Sequence, residues 1–339
     1  MTRHQPSLFW IVGGGGLLGS RLRSSIDRDV PGGQCWNPPF ERFSWNSPAQ
    51  LRVELAESAL QFSKAVLEHS AGCAWGVVWT AGAGVIGTTE QVFAAETATL
   101  QLLLDMVETH VINTQSGPGL VFLSSSAGGS YGNCPDQSIT EHSECRPISP
   151  YGANKHRQEE LLNAWADDHP QVTCRIGRIS NLYGSGQNLS KPQGLISHIS
   201  KCLIWQQPIH IYVPLDTIRD YVHVDDCSRQ ITSCLNVWMG ANSTPRGTRV
   251  KIFAAEEPTS VAQIVGAFSR LSSRRRPRVI CSPSALGLQQ PRRLLFRSIM
   301  EPFVTALPKT TLQVGLNQLH HHQMMLYNQG LLAPPFAKA

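Results

Sequence analysis

Two kinds of segment alternate along the first half of the chain. Residues 8–12, 75–80 and 120–124 are short, mostly apolar runs, as expected for strands that are buried on both faces of a parallel sheet. Residues 93–108 have helical periodicity instead, with one apolar face formed by Leu100, Leu103, Leu104 and Val107. Strands that alternate with helices predict an α/β fold with a doubly wound parallel sheet of the Rossmann type.

The pattern continues along the chain with one gap. Helices are predicted at residues 17–26 and 151–168, a strand at 172–179 and a terminal helix near 311–329. Residues 29–47 are rich in Pro, Gly and Trp, and no strand can be placed there. In a doubly wound sheet the ligand binds beyond the carboxyl ends of the strands. The residues that directly follow the predicted strands are therefore the first place to look for a site.

A glycine-rich loop, VGGGGLLG, follows the first predicted strand and precedes the first predicted helix. Gly13, Gly16 and Gly19 are spaced three residues apart. The first permits a tight turn, the second lets backbone N–H groups approach a pyrophosphate, and the third lets the helix pack closely on the sheet. The helix N-terminus faces the phosphates with its partial positive charge. Such a loop alone can be an ordinary turn, but this context favours a dinucleotide-binding site.

The acidic residue that commonly binds the cofactor ribose at the end of the second strand is not evident. The corresponding region, QCWNPPFERF, offers Asn37, Glu41 and Arg42. A missing acid and a nearby Arg42 would suit the 2′-phosphate of NADP, but the strand itself cannot be placed. The predicted cofactor is therefore NAD or NADP, and the choice stays open.

A tyrosine, a lysine and a run of serines form the second candidate constellation. Tyr151 and Lys155 lie four residues apart at the start of a predicted helix, and therefore on one face of it. Ser124, Ser125 and Ser126 follow a predicted strand upstream. A phenol keeps its proton at neutral pH in water, whereas an ammonium one helical turn away favours the phenolate. A serine hydroxyl can hold a substrate oxygen while the proton moves, and a nicotinamide can take or give the hydride.

Composition and charge narrow the class of protein. The 29 basic residues exceed the 24 acidic ones by five, which suits an anionic small-molecule ligand but is too little to predict nucleic-acid binding. The sequence contains no run of about 18 apolar residues, and it therefore predicts no membrane span. The nine cysteines form no C-x-x-C pair, which indicates free thiols rather than a zinc site or a disulfide framework. We expect a globular cytoplasmic protein that binds no metal ion.

Five motifs, in order along residues 8–226, resemble those of the extended short-chain dehydrogenase/reductases, in particular the NAD-dependent epimerase/dehydratase family of nucleotide-sugar enzymes. VGGGGLLG resembles the family's T-G-G-x-G-x-x-G, SSSAGGSYG its S-S-x-x-V-Y-G with one extra residue, and YGANK its Y-x-x-x-K. RISNLYGSGQ resembles a stretch with a substrate-binding asparagine, and RDYVHVDD a segment that precedes a helix of the substrate domain. The resemblance implies an NAD(P)-binding Rossmann domain at 7–178, to which segments near 210–235 return, and a smaller substrate-binding α/β region at 179–330.

The resemblance also implies roles for single residues. Tyr151 would be the catalytic acid/base, Lys155 its ribose-binding partner, and Ser126 the hydroxyl that contacts the substrate, with Ser125 as an open alternative. The cofactor would be bound around the glycine loop and the strand ends by Gly13, Gly16, Leu17, Leu18, Gly19, Ala81, Gly82, Ser124, Tyr151 and Lys155. A nucleotide-sugar substrate would be bound by Ser125, Asn181, Arg219 and Arg292.

Three functions remain open at this point. An epimerase would oxidise a sugar hydroxyl transiently and reduce it again on the other face. A reductase or dehydrogenase of a carbonyl or sugar would consume its cofactor, and a non-catalytic dinucleotide-binding protein would need no Tyr/Lys pair. Ala127 and Gly128 stand where the family's dehydratases carry an Asp-Glu pair, which disfavours 4,6-dehydration. The family often dimerises through two helices, and residues 100–107 and 161–165 are the faces that would form a homodimer.

Overall fold

The main sheet of the computed structural model is parallel and has six strands. The structure describes residues 5–70, 72–82, 84, 88–114, 117–187, 194–239, 247–271, 278–282, 290–302 and 308–335. Its strands are β1 Ser7–Val12, β2 Gly33–Trp36, β3 Ala74–Trp79, β4 Gly119–Ser126, β5 Val172–Ile179, β6 Asn181–Tyr183, β7 Ile209–Ile211, β8 Ile218–His223, β9 Gly247–Phe253, β10 Pro258–Ser260 and β11 Val279–Cys281. The main sheet has the order β2-β1-β3-β4-β5-β9. Strand order reverses between β1 and β3, which opens a crevice at their carboxyl ends.

Helices cover both faces of this sheet. They are α1 Leu17–Asp29, α2 Pro48–His69, α3 Glu90–Val107, α4 Ala127–Ser130, α5 Pro150–Asp168, α6 Leu195–Ile204, α7 Val224–Trp238, α8 Val261–Leu271 and α9 Leu312–Asn328. On one face, Leu22 of α1 and Ile231 of α7 share a core with the strands. On the other face, α2, α3 and α5 pack together, and β1 and β3 are consequently buried along their whole length. Of the helices in the described ranges, none is long and apolar enough to cross a membrane.

A separate apolar core lies in the region that follows β5. The strands β10, β8 and β6 form a small sheet, and β11 pairs with β7. Helices α6, α8 and α9 surround this core with Ile199, Ile264 and Leu316. The chain then returns to the main sheet, because α7 packs against α1 and β9 pairs with β5. The smaller region is therefore joined to the carboxyl end of the main sheet by several chain segments.

The predicted fold class is confirmed by the parallel main sheet. The strands predicted at residues 8–12, 75–80, 120–124 and 172–179 correspond to β1, β3, β4 and β5. The strand that could not be placed in residues 29–47 is β2, which has only four residues. Of the segments after β5, α7 packs against α1 and β9 pairs with β5, and the division into a domain at 7–178 and a region at 179–330 stays a prediction.

The predicted dimer faces use most of their apolar residues inside the chain. Leu100, Leu103, Leu104, Val107 and Leu162 are each at most 1% exposed and belong to the core beneath the sheet. These side chains are therefore not available to a second copy of the chain. The homodimer stays a prediction, and it would have to use the outer, more polar sides of α3 and α5.

The nine cysteines are free thiols, as their spacing predicts. Burial raises the pKa of Cys35 to about 11 and that of Cys174 to about 12. These thiols are therefore protonated at neutral pH and act as small apolar side chains in the core.

Candidate active site

The glycine loop connects β1 to α1, and two of its positions have no room for a side chain. Gly13 has a φ of +91°, in the left-handed region that favours glycine. A Cβ on Gly13 would lie 2.5 Å from the backbone nitrogen of Ala81. A Cβ on Gly19 would lie 2.3 Å from the carbonyl oxygen of Gly13. The turn, the end of β3 and the start of α1 are thus packed backbone against backbone.

The first turn of α1 has no side-chain cap. Gly16 is the N-cap and has no side-chain oxygen to accept hydrogen bonds from the first helical amides, including those of Leu17 and Leu18. Around Gly15 an added Cβ would meet no atom within 4 Å, so a ligand can approach the backbone. Uncapped amides at a helix N-terminus are suited to a phosphate group. The predicted loop residues therefore fit a dinucleotide pyrophosphate.

The loop that follows β3 connects the glycine loop to the tyrosine helix. Ala81 packs on Gly13, and a Cβ on the next residue, Gly82, would lie 3.6 Å from Lys155 Nζ. The glycine loop, Ala81, Gly82 and Lys155 therefore follow one another across the carboxyl edge of the main sheet. The structure brings together predicted cofactor residues that are up to 142 positions apart in the sequence (155 − 13).

Tyr151 and Lys155 lie one turn apart near the start of α5. The helix begins at Pro150, and Ser149 caps it by accepting a hydrogen bond from the Gly152 nitrogen at 3.1 Å. Lys155 Nζ lies 6.0 Å from the centre of the Tyr151 ring. Tyr151 is half-buried and Lys155 is buried, so Tyr151 is the more accessible of the two side chains.

The three serines at the end of β4 alternate between two environments. Ser124 and Ser126 are half-buried, whereas Ser125 is 6% exposed. The Ser125 hydroxyl donates to Glu159 Oε1 at 2.5 Å. The Ser126 oxygen accepts from the Gly129 nitrogen at 3.1 Å, which leaves its own hydrogen available for donation. The geometry thus favours Ser126 over Ser125 as the substrate-facing hydroxyl.

Ser126 is held next to the tyrosine helix by a close approach of two glycines. A Cβ on Gly129 would lie 3.3 Å from Ser126 Cβ and 3.2 Å from Gly152 Cα. A Cβ on Gly152 would lie 2.3 Å from the Gly129 carbonyl oxygen. The backbone that follows Ser126 therefore touches the residue that follows Tyr151, and the predicted Ser–Tyr–Lys set is assembled in one place.

Lys155 has a buried carboxylate partner that sequence reasoning missed. Its Nζ lies 3.1 Å from Glu96 Oε1, and the two side chains are 8% and 10% exposed. Lys155 also donates to Gln158 Oε1 at 2.9 Å, and the Gly84 nitrogen donates to Glu96 Oε2 at 3.1 Å. Desolvation acts to raise the pKa of Glu96, but the Lys155 charge and the hydrogen bonds outweigh it and lower that pKa. The ammonium beside Tyr151 is therefore fixed in place and paired with a carboxylate.

A sequence signal for Glu96 does exist. It lies three residues after Phe93 and four before Leu100, on the apolar face of α3. A carboxylate within such a stripe costs free energy unless a cation and hydrogen bonds accompany it into the interior. Its position in the pattern therefore indicates a buried partner, although the pattern alone cannot identify Lys155.

A second buried ion pair lies next to the serines. Arg178 of β5 donates from Nε to Glu159 Oε1 at 3.1 Å and from Nη2 to Glu159 Oε2 at 2.6 Å. Its Nη1 donates to the Tyr131 hydroxyl at 2.5 Å. Burial opposes the charge of Arg178, but the hydrogen bonds and attraction from Glu159 raise its pKa above the ordinary value. Together with the bond from Ser125, this network connects β4, β5 and α5.

Two of the predicted substrate residues share one face of the small sheet. Ser126 is paired with Ile179 in the main sheet, so Asn181 follows the partner of Ser126 by two residues. Asn181 is in turn paired with Tyr221, which puts it on the same face as Arg219. Asn181 Nδ2 donates to the backbone oxygen of Asp220 at 2.8 Å. Burial lowers the pKa of Arg219, so an anionic ligand would stabilise its charge.

Arg292, the remaining predicted substrate residue, has a different environment. Its backbone oxygen accepts from the Ile218 nitrogen, which places the residue beside the start of β8. Its guanidinium lies 2.7 Å from Asp216 in an ion pair whose side chains are 66% and 67% exposed. Among the contacts of the described residues, this guanidinium is joined to Asp216 and not to Asn181. Across the ranges that the structure describes, no three His, Cys, Asp or Glu side chains are arranged to hold a metal ion.

The end of β2 has an arginine next to it, but a different one from the arginine that the sequence suggested. Asn37 directly follows β2, and Arg23 of α1 donates from Nη2 to Asn37 Oδ1. Arg42 is exposed and lies five residues beyond Asn37. Sequence reasoning missed Arg23 because α1 and β2 are brought together only when the sheet forms.

The sequence matches the sequence model of the NAD-dependent epimerase/dehydratase family over residues 10–237. A dTDP-L-rhamnose 4-epimerase from Burkholderia thailandensis is 33% identical over 99 residues, which are 29% of this chain and 27% of the relative. A UDP-glucose 4-epimerase from Mycolicibacterium smegmatis is 29% identical over 152 residues, which are 45% of this chain and 48% of the relative. The aligned segments thus span less than half of the length of these curated relatives.

Solved structures share the fold over nearly the whole chain. An epimerase from Methanothermobacter thermautotrophicus has a TM-score of 0.73 at 17% identity, with 96% of this chain and 94% of that chain covered. The UDP-glucuronic acid 4-epimerase from Bacillus cereus, in complex with UDP-glucuronic acid and NAD, has a TM-score of 0.67 at 17% identity, with 95% and 100% covered. At these identities the likeness is one of fold. The family model, in contrast, matches well over half of this chain. The chain therefore belongs to the NAD-dependent epimerase/dehydratase family, a family of NAD-dependent enzymes.

Proposed function

We propose that the chain is an NAD(P)-dependent epimerase that inverts a hydroxyl of a nucleotide sugar by transient oxidation. The observation that carries the proposal is the assembly of Ser126, Tyr151 and Lys155 beside Gly82, at the carboxyl edge of the sheet. Relatives named UDP-glucose 4-epimerase and dTDP-L-rhamnose 4-epimerase support the choice of reaction and of substrate class. A non-catalytic binding protein would not need this assembly.

The residues of the cofactor site fit a dinucleotide. The glycine loop cannot hold side chains at Gly13 and Gly19, and the first amides of α1 are uncapped. Lys155, next to Gly82, would hold the ribose of the nicotinamide half by donating hydrogen bonds to its hydroxyls. When bound, the nicotinamide supplies the acceptor and then the donor of the hydride.

The protein supplies the proton chemistry. Tyr151 takes the proton from the sugar hydroxyl whose carbon is oxidised to a ketone. Ser126 donates its hydroxyl hydrogen to the same sugar oxygen and holds it in place. Once the ketone has turned its other face and is reduced again, Tyr151 returns the proton to the oxygen. Atoms and electrons balance without any further reactant.

Substrate binding is assigned to the face of the small sheet beside Ser126. The Arg219 guanidinium is half-buried and donates to the Ile218 oxygen at 2.8 Å and to Gln290 at 3.4 Å, so further N–H groups remain for diphosphate oxygens. Asn181 contributes an exposed amide two residues past the strand partner of Ser126. We assign Arg292 only an outer position, because its partner is the exposed Asp216.

The proposal is tested with Tyr151→Phe on a panel of nucleotide sugars, with products followed by NMR and the cofactor by its nicotinamide absorbance. We expect turnover to fall by a factor of about 10²–10⁴, because the phenol hydroxyl is the proton-transfer group. Tyr212→Phe, at a tyrosine that is 47% exposed on the surface, is the matched control and should keep full turnover.

Three outcomes would contradict parts of the proposal. Full turnover by Tyr151→Phe would contradict the role of Tyr151 as the proton-transfer group. A net absorbance change that matches product formation would indicate a reductase or dehydrogenase instead. Binding of the cofactor without added thermal stability from any nucleotide sugar would indicate a non-catalytic dinucleotide-binding protein.

A further inference from the structure

The carboxyl end of β2 lacks the acidic residue that would bind the ribose 2′-hydroxyl of NAD. The strand ends at Trp36, and the next residue is the neutral Asn37. Asp27, on the helix that precedes the strand, uses its Oδ1 to accept the Cys35 nitrogen at 2.6 Å and so holds β2 in place. In this fold the residue at the strand end decides between a 2′-hydroxyl and a 2′-phosphate, because an acid accepts from the hydroxyl but repels the phosphate.

Arg23 of α1 occupies the space between the glycine loop and the end of β2. Its Nη2 donates to Asn37 Oδ1, and its Cδ would lie 2.9 Å from a Cβ on Gly14. The guanidinium is thus placed at the loop that binds the pyrophosphate and at the strand end that binds the ribose. Within the described residues, Arg23 belongs to none of the ion pairs.

We propose that Arg23, held by Asn37, forms a subsite for the 2′-phosphate of the cofactor, so that this chain prefers NADP(H) to NAD(H). A guanidinium has five N–H donors in a planar fork that matches phosphate oxygens, and Asn37 uses only part of them. The Asn37 amide adds a donor of its own, whereas a carboxylate there would add a repelling charge. The inference rests on the proposed function in so far as the cofactor occupies the glycine loop.

The test compares the dissociation constants of NADP⁺ and NAD⁺ for the full chain by isothermal titration. We expect the wild-type protein to bind NADP⁺ more tightly than NAD⁺ by a factor of about ten or more, because the planar guanidinium can make charge-assisted, bidentate hydrogen bonds to a phosphate. 2′,5′-ADP, which carries the 2′-phosphate without a nicotinamide, should compete for the site better than 5′-ADP.

Variants assign the preference to single side chains. Arg23→Ala should lose most of the NADP⁺ affinity and keep that for NAD⁺ within about twofold, since only the phosphate contact is removed. Asn37→Asp should reverse the preference, because the new carboxylate accepts from a 2′-hydroxyl and repels a 2′-phosphate. Arg42→Ala is the matched control at an exposed arginine of the following loop, and it should change neither constant.

The outcomes separate this inference from the proposed function. Equal or tighter binding of NAD⁺ by the wild-type protein, or unchanged NADP⁺ binding by Arg23→Ala, would overturn the 2′-phosphate subsite and leave the epimerase proposal intact. Failure to bind either dinucleotide would overturn both. Tight NADP⁺ binding without turnover of any nucleotide sugar would support the subsite and contradict the proposed reaction.

Discussion

Helix α5 carries one member of each of two buried ion pairs, four residues apart, and the two pairs differ in what surrounds them. Glu159 pairs with Arg178, with side chains 3% and 7% exposed. Lys155 pairs with Glu96, with side chains 8% and 10% exposed. Burial is thus nearly the same. The neighbours of the first pair are Ser125 and Tyr131, which are themselves buried, whereas Lys155 is next to Gly82 and the half-buried Tyr151.

The difference separates a structural ion pair, which supports the fold, from a chemical pair, which lies beside the proposed proton-transfer residue. Arg178 is a planar guanidinium with a fixed bidentate geometry and a permanent charge, so it suits a network that never opens. Lys155 is a compact ammonium on a flexible stem that lies beside Gly82 and Tyr151, so in the proposed mechanism its charge acts on Tyr151 and on the cofactor ribose. We infer that the first pair stabilises the end of β4 and that the second adjusts the proton chemistry.

Removing the cation of the structural pair should have the largest effect. Arg178→Met leaves the Glu159 carboxylate buried without its cation, and we expect the free energy of unfolding to fall by about 3–5 kcal/mol. Chemical denaturation followed by circular dichroism measures this loss. The control is Arg146→Met, which breaks an Arg–Glu pair whose side chains are 46% and 64% exposed and which should change stability little. Similar losses in both variants would contradict the structural role of Arg178.

Substitutions of Ser125 and Ser126 should distinguish the structural role from the catalytic role, with smaller effects than that of Arg178→Met. Ser126→Ala removes the hydroxyl that the proposed mechanism places against the reacting oxygen, and we expect kcat/KM to fall by about 10- to 100-fold. Ser125→Ala removes a hydrogen bond to Glu159 and should lower the free energy of unfolding by about 1–2 kcal/mol. Steady-state kinetics and denaturation of both variants give the comparison. A larger kinetic loss in Ser125→Ala would exchange the roles of the two serines.

The smallest expected effect concerns the carboxylate of the chemical pair. Glu96→Gln keeps the size of the side chain but removes the charge that faces Lys155, so the ammonium favours the Tyr151 phenolate more strongly. We expect kcat/KM at a fixed neutral pH to rise by a factor of about 2–10, because the unpaired ammonium assists removal of the proton more strongly. Glu90→Gln is the matched control, because Glu90 pairs with Arg157 across the same two helices but at 58% and 52% exposure. A rise of equal size in Glu90→Gln would contradict the role of Glu96.

Acid stability checks the same carboxylate independently. Its pKa is lowered in the folded protein, so Glu96 contributes stability above its unfolded pKa, which is about 4.3, and this contribution is lost as the pH falls through the folded value. Glu96→Gln should therefore lose stability relative to the wild type at neutral pH, and the difference should shrink below about pH 4. Thermal unfolding between pH 3 and 7 measures it, and a difference that grows on acidification would contradict the ion pair.

Local spacing explains which parts of the site could be predicted from the sequence. Gly13, Gly16 and Gly19 lie within one loop, and Tyr151 and Lys155 lie within one helical turn, so their geometry follows from short stretches of chain. The pairing of Glu96 with Lys155 could not be predicted, because the two residues are 59 positions apart in the sequence and lie on different helices. The same applies to the contact between Arg23 and Asn37, since β2 is too short to be recognised before the sheet is formed.

The most direct test of the central claim uses a nucleotide sugar with deuterium on the carbon whose hydroxyl is inverted. In the proposed mechanism that carbon is oxidised transiently while Tyr151 takes the hydroxyl proton, so the deuterium would leave the carbon and be returned to it without exchange with water. We therefore expect an inverted product that retains the label in ordinary water, with no net change in nicotinamide absorbance. Loss of deuterium to solvent, or accumulation of reduced cofactor together with an oxidised sugar, would contradict the account.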